Sequence, residues 1–173
     1  MENGEEEKIK AILMDVDGVL TDGAIVYDAN GNELKFFHVQ DGLAINRAAQ
    51  HGILIYFITA RESQAVQRRG EELGIRRVYQ GIKDKGAVFD EILAQENLQP
   101  DEVAYIGDDI IDIPIMKQVA LPIAVANACA EAKEYARVVT SASGGQGAVR
   151  EAIEGILRKQ GIWQKIVSQY TGA

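Results

Sequence analysis

Two runs of carboxylates carry the chemistry of this sequence. Asp15-Val-Asp17-Gly18-Val-Leu-Thr21-Asp22 follows an apolar stretch at 9–14, and Gly107-Asp108-Asp109-Ile-Ile-Asp112 follows another at 103–106. Each run stands where a strand would end. The i, i+2 spacing of Asp15 and Asp17 on an extended chain directs both side chains the same way. Two carboxylates that close do not both ionise cheaply without a cation. Oxygen donors favour Mg²⁺ over softer metals. Asp109 and Asp112 also suit the first turn of a helix, where the dipole favours negative charge. Capping is therefore the competing reading for those two. It does not extend to Asp108, which repeats the strand-end placement of Asp15.

Two further strand ends lie between the acidic runs. Thr59-Ala60-Arg61 closes the β-rich run at 54–58. The Thr59 hydroxyl and N–H both suit a phosphate oxygen, and Arg61 can bind an anion through two donors. Gly81-Ile-Lys83-Asp84-Lys85-Gly86 then opens a helix. A lysine there can neutralise a phosphate and a nucleophile together, although a single lysine at a helix start is ordinarily solvated. Rival motifs are missing: there is no GxxxxGK[ST], no HExxH and no GxSxG. His38 and His51 are too isolated for a metal cluster. Cys129, the single cysteine, reads as a buried inert thiol.

These groups need a scaffold that brings strand ends together. Short runs at 9–14, 54–58, 77–79, 103–106, 122–125 and 137–139 read as strands. Helical patterns lie between them at 42–50, 62–73, 85–96, 109–118 and 147–159. Asp41 suits the cap of the first helix, and Gly74 stops the second. Strand–helix alternation of this kind means βαβ units in an α/β, three-layer, doubly wound parallel sheet. Strands apolar on both faces fit a sheet covered on each side, and ligands gather at its C-terminal edge. The segment 24–39 breaks the rhythm with two β-rich runs around Asn30-Gly31, the signal for a β-hairpin inserted after the first strand. Its Ile25, Val26, Phe36 and Phe37 exceed what one domain would bury, so they are expected to meet another subunit. Packing on the hairpin's own domain is the alternative.

Composition bounds the answer. One domain over 1–173 is the expectation for 173 residues. At 47% hydrophobic residues the chain can build a core, and at 6% aromatics that core should be mainly Ile, Val, Leu and Ala. A net charge of −8 argues against nucleic acid as partner. One cysteine allows neither a disulfide framework nor a zinc–thiolate cluster. There is no apolar run of membrane-spanning length and no signal-peptide pattern, so a reducing cytoplasm is expected. Much of the excess acid falls in two places. One is the group Asp15, Asp17, Asp22, Asp108, Asp109 and Asp112; the other is an N-terminal group, Glu2 and Glu5 to Glu7, expected to fray.

With these residues in this order, DxDGxxTD, a strand-end Thr, a helix-start Lys and GDDxxD, the chain resembles the haloacid dehalogenase (HAD) superfamily of phosphotransferases. The segments Phe37-His-Val-Gln-Asp41-Gly42, Thr59-Ala-Arg61, Tyr79-Gln80-Gly81, Gly107–Asp112 and Gly144-Gly-Gln-Gly-Ala-Val-Arg150 are similar to the capless 3-deoxy-D-manno-octulosonate 8-phosphate (KDO 8-phosphate) phosphatases. The resemblance implies a Mg²⁺-dependent phosphomonoesterase of lipopolysaccharide precursor synthesis. It implies Asp15 as nucleophile, forming an aspartyl-phosphate, and Asp17 as acid and then base. It implies Asp15, the Asp17 carbonyl and Asp108 as metal ligands, with Asp109 and Asp112 behind them holding metal-bound water. Thr59, Ala60, Arg61 and Lys85 would bind substrate and phosphate, with Lys85 preferred over Lys83 by its place in the motif. It also implies a homotetramer built through the inserted hairpins, with a neighbouring subunit covering each site.

Two departures bear on the substrate. Gln146 stands where the family pattern has Arg, so the substrate carboxylate would be met by Arg61, Arg68 or Arg69. The tail 161–173 is more apolar than expected, and its Trp163 and Ile166 either cover a neighbouring site or pack on the core. A phosphatase for the nine-carbon sugar-acid phosphate and a tetramerisation module with weak catalysis are the alternatives. Arg61 favours the eight-carbon substrate. The intact motifs argue against a mere assembly module.

Overall fold

A computed structural model describes residues 8–172 of the chain. The acidic segment 1–7, expected to fray, lies outside the described residues. Six parallel strands form one sheet: β1 (Ala11–Met14), β4 (Leu54–Ile58), β5 (Arg77–Tyr79), β6 (Val103–Gly107), β7 (Leu121–Ala124) and β8 (Val138–Val139). Their spatial order is β5-β4-β1-β6-β7-β8. β1 is central and fully buried; Ala11 sits between Leu54 on one side and Val103 on the other. An all-apolar run such as AILM is stable here because helices cover both faces.

Seven helices complete the described chain: α1 (Val39–Gln50), α2 (Gln64–Leu73), α3 (Lys85–Glu96), α4 (Ile113–Met116), α5 (Ala130–Glu134), α6 (Ala148–Lys159) and α7 (Trp163–Thr171). The chain steps from β1 through β4 to β5 in one direction, then returns to β6 and steps outward through β7 to β8. Right-handed crossovers therefore place α1 and α2 on one face and α3, α4 and α5 on the other. α1 packs on α2 and α6, and α3 packs on α4, in agreement. The direction of travel reverses between β1 and β6. A crevice opens between their C-terminal ends, and Asp15 and Asp108 follow those two strands.

Several local expectations need correction. α1 begins at Val39, so Asp41 lies inside its first turn rather than capping it. The Asp41 carboxylate instead accepts the Arg150 N–H at 2.7 Å and caps α6. The helix expected at 109–118 is a 3-10 turn (Ile110–Asp112) followed by the single turn of α4. Asp112 is turned inward there, and its bonds to backbone N–H groups compete with a regular helical start. α5 and α7 were not anticipated. In α7, Trp163 and Ile166 are buried in the chain's own core, with the Arg150 guanidinium 4.5 Å from the Trp163 ring centre. The expectation of an aliphatic core holds only in part: Tyr56, Phe57, Phe89 and Tyr105 are among its largest buried side chains.

The hairpin is present but shorter than 24–39. It pairs β2 (Val26–Tyr27) with β3 (Glu33–Leu34) around a turn that Asp28 holds by accepting from Asn30 and Asn32 N–H, both at 2.8 Å. Ile25, Tyr27, Leu34, Phe36 and Val39 are exposed on it and just beyond it, Phe36 by 66% and Val39 by 78%. Phe37 alone turns back to the core cluster.

Candidate active site

Asp15, Asp108 and Asp112 converge at the C-terminal ends of β1 and β6, with a carboxylate oxygen of each within 4.8 Å of the others. Asp15 and Asp112 are buried; Asp108 is partly so. Lys85, the first residue of α3, reaches under them. Its Nζ lies 3.1 Å from Asp15 Oδ1 and 2.7 Å from Asp112 Oδ1. Asp84 starts α3 by accepting the Ala87 N–H at 3.1 Å. Lys85, just after that cap, is buried, while Lys83, just before it, is exposed.

The three carboxylates have different surroundings. Asp112 is saturated: Oδ1 accepts from Lys85 and from the Tyr105 hydroxyl at 2.5 Å, and Oδ2 accepts the Asp108 and Asp109 N–H groups at 2.9 and 3.2 Å. Asp15 Oδ1 accepts the Val16 N–H at 2.7 Å. Asp108 Oδ1 is buried with no hydrogen-bond partner among the described residues. Burial is the main cause that pushes Asp108 up to about 8, with the charges of Asp15 and Asp112 adding to it. Burial also pushes Asp15 up to about 6, against the opposing pull of Lys85. Burial would lower the Lys85 ammonium, but the Asp15 and Asp112 charges outweigh it and hold it above its ordinary value.

An orphaned carboxylate oxygen beside a second, raised carboxylate is what a hard divalent cation relieves. The donors are all oxygen, so the residues fit Mg²⁺. The backbone is shaped for this closeness. Gly18 has φ +92° and a Cβ there would stand 2.0 Å from Asp108 Oδ2. A Cβ on Gly144 would stand 1.7 Å from the Gly18 carbonyl oxygen, so the glycine-rich loop at 144–147 lies directly against the nucleophile loop. Asn127 ties the two loops, donating to Gly18 O at 3.3 Å and accepting the Gly144 N–H at 2.6 Å.

Thr59 is buried at the end of β4. Its N–H donates to Tyr79 O at 2.9 Å, so only the hydroxyl is left to face the crevice, contrary to expectation. Ala60 beside it is exposed. Arg61 donates to Glu33 Oε1 at 2.6 Å, which ties it to the hairpin. Asp17 is joined to Lys35, whose Nζ also lies 3.4 Å from Glu33. Lys35, Glu33 and Tyr105 were missed by sequence reasoning. The alternation Glu33-Leu34-Lys35-Phe36 is the signal that marks a two-faced strand with charge on one side. Tyr105 stands out only as the one hydroxyl in an otherwise apolar strand.

Other candidates lie apart. Asp22 is exposed and holds the Ala24 N–H at 2.9 Å. Asp109 is exposed and bonds the Ile110 N–H at 2.7 Å, at the start of the 3-10 turn. Gln146, Arg68 and Lys83 are exposed. Arg69 and Arg68 line a cavity of about 330 Å³ with Phe37 and Val39. His38 Nδ1 lies 4.0 Å from Asp41 Oδ2, and His51 Nδ1 lies 2.8 Å from Arg47 O. Cys129 is half-buried rather than buried and starts α5. A larger cavity of about 770 Å³ lies at the opposite end of the sheet, by Ile9, Leu121 and Val138. It is remote from the carboxylates, and the chemistry is therefore placed at the crevice.

A doubly wound parallel sheet with a DxD loop after its central strand, a buried helix-start lysine and a GDDxxD loop across the crevice defines a HAD-like hydrolase. A family model described as haloacid dehalogenase-like hydrolase matches residues 77–153. The 3-deoxy-D-manno-octulosonate 8-phosphate phosphatase KdsC of Escherichia coli (strain K12) is 43% identical over 155 residues, covering 90% of this chain and 82% of that one. The crystal structure of the 3-deoxy-D-manno-octulosonate 8-phosphate phosphatase from Moraxella catarrhalis, in complex with magnesium ion, phosphate ion and KDO, matches with a TM-score of 0.92 at 38% identity, covering 94% of this chain and 93% of that one. A probable yrbi family phosphatase from Pseudomonas syringae pv. phaseolica 1448a matches with a TM-score of 0.93 at 41% identity, covering 95% and 94%. The chain belongs to the KDO 8-phosphate phosphatase family of the HAD superfamily.

Proposed function

We propose that this protein is a Mg²⁺-dependent phosphomonoesterase that hydrolyses KDO 8-phosphate to KDO and phosphate, in the cytoplasm, for lipopolysaccharide precursor synthesis. The observation that carries the reading is the pair of buried Asp15 and half-buried Asp108, one Asp108 oxygen buried and orphaned, with Lys85 bonded to Asp15 beneath. The similarity to phosphatases whose substrate is this sugar-acid phosphate supplies the substrate.

Mg²⁺ would be held by the Asp15 and Asp108 carboxylates and the Asp17 carbonyl, and when bound it neutralises charge on the phosphoryl oxygens. Asp15 attacks phosphorus, and the bond from phosphorus to the sugar oxygen breaks as Asp17 gives that oxygen a proton. Asp17, now a carboxylate, takes a proton from water as the water attacks the aspartyl-phosphate. Phosphate leaves and Asp15 is restored. Splitting hydrolysis into two displacements lowers each barrier. Lys85 and the Thr59 hydroxyl orient the phosphoryl oxygens, which is most of what such a transfer needs. Asp112 serves as a support, since its four hydrogen bonds already occupy both oxygens and fix Lys85 and the Asp108 loop. Arg61 is the anion-binding group for the sugar acid.

The exposed outer face of the hairpin supports a homotetramer. The net charge of −8 supports a small-molecule substrate rather than nucleic acid.

The test is a screen of phosphorylated sugar acids with and without EDTA, run on the protein and on Asp15→Asn. Cleavage of KDO 8-phosphate that is lost with EDTA and abolished by Asp15→Asn is expected. Substantial turnover by Asp15→Asn would sink the covalent mechanism. No turnover of any sugar-acid phosphate by intact protein would sink the enzyme reading.

A further inference from the structure

We propose that Lys35, carried into the site by the inserted hairpin, is a positioning residue for the Asp17 carboxylate; this rests on the aspartate-based mechanism above. The hairpin has two faces. Leu34 and Phe36 point outward and are exposed, whereas Glu33 and Lys35 point to the nucleophile loop, the Lys35 side chain being only 1% exposed. Lysines are almost never buried to that degree without charged partners. Here the partners are Asp17 and Glu33, and Glu33 is itself bonded to Arg61. The chain Arg61–Glu33–Lys35–Asp17 links the loop after β4, the hairpin and the loop after β1.

The arrangement answers a geometric problem. Carboxylate oxygens of Asp15 and Asp108 lie within 4.8 Å of each other, and Asp108 Oδ1 is buried with no partner among the described residues, which suits a divalent cation between them. Asp17 lies two residues from Asp15 in the same loop, and its carboxylate would add a further charge beside Asp15 and Asp108 if it turned toward them rather than toward Lys35. Its oxygens would then no longer face the leaving group. The ammonium of Lys35 donates to one carboxyl oxygen of Asp17, whether the group is ionised or protonated, and draws it toward the hairpin, so that the other oxygen carries the proton for the leaving group. The inner face of the hairpin is thus part of the active site of its own chain, whatever its outer face binds.

The experiment compares Lys35→Met and Lys35→Arg with wild type on two substrates. One is an alkyl phosphomonoester, whose leaving oxygen needs the Asp17 proton; the other is 2,4-dinitrophenyl phosphate, whose leaving group needs none. Mg²⁺ affinity is read by calorimetry in parallel. For Lys35→Met, kcat on the alkyl substrate falls by about 10²-fold, the low end of what acid–base catalysis supplies. The pre-steady-state burst of dinitrophenolate, which reports the first displacement and needs no Asp17 proton, stays within about threefold of wild type by the same reasoning. Mg²⁺ binding is undiminished, and Lys35→Arg recovers part of the loss. An equal loss in the alkyl kcat and in the dinitrophenolate burst, no loss in either, or weakened Mg²⁺ binding would overturn the assignment. If Lys35→Met does not fold, Lys35→Gln carries the same comparison. Asp15→Asn is run beside them: retained dinitrophenyl turnover there shows that the aspartate mechanism itself has failed, and the Lys35 role with it.

Discussion

Adding Mg²⁺ to the metal-free protein at pH 7 is expected to release about one proton, given carboxylates held at about 8 and about 6. A group with a pKa near 8 is roughly 90% protonated at pH 7, and one near 6 roughly 10%. Asp108 and Asp15 share one crevice and titrate together, so the sum, about one proton, is the quantity to measure. Ligation by both requires both to be ionised. Isothermal titration in two buffers of different protonation enthalpy reads the count directly. It should fall to about a tenth of a proton at pH 9 and rise at pH 6. In Asp108→Asn at pH 7 most of it should vanish. The same shifts set the stability of the metal-free fold. Both are acids with folded values raised above the ordinary range, so their contribution is fully present below pH 4 and is lost as pH rises through about 6 and then about 8. The melting temperature of the metal-free protein should therefore fall across that window, and saturating Mg²⁺ should remove the fall. Heats at pH 7 that do not depend on the buffer would refute the reasoning, because the carboxylates would then already be ionised without metal. Undiminished release in Asp108→Asn would refute the assignment of the proton to this pair.

Two further outcomes follow from contacts at the site and on the hairpin. Gly18→Ala places a methyl 2.0 Å from Asp108 Oδ2 at a positive φ, so Asp108 must move; the change should cost about 1–3 kcal/mol of stability, and calorimetry should show Mg²⁺ affinity reduced at least as severely as turnover. Phe36→Glu puts a charge on the exposed hairpin face without touching the carboxylates. If the proposed homotetramer forms through this face, light scattering should give the tetramer mass for the wild type and a smaller species for the variant, and equal masses would move the interface elsewhere.

Much of the site was legible in the linear sequence because its chemistry is local. Asp15 and Asp17 are two residues apart, Asp108 and Asp112 four, and each set follows an apolar run that has to be a strand. The strand–helix rhythm dictates a parallel sheet, and a parallel sheet brings strand ends to one edge. From those residues alone the acidic crevice, the helix-start lysine and the two-faced covering of β1 could be argued. What the sequence could not supply were roles decided by packing between distant segments. Asp41 reads as the cap of its own helix, yet it caps α6, because α1 and α6 lie side by side. Asp109 and Asp112 read alike, yet Asp112 is buried with four hydrogen bonds while Asp109 stands in solvent. The short 3-10 turn, which has no sequence period of its own, made that division. Trp163 could have reached a neighbour, but α7 folds it onto its own core. Lys35 is the sharpest case. A lysine in a hairpin is by default a solvated charge, and only the fold of that hairpin over the β1 loop sets its ammonium against Asp17. Residue type and spacing determined which atoms could do chemistry; burial and the approach of loops far apart in the chain decided which of them face each other.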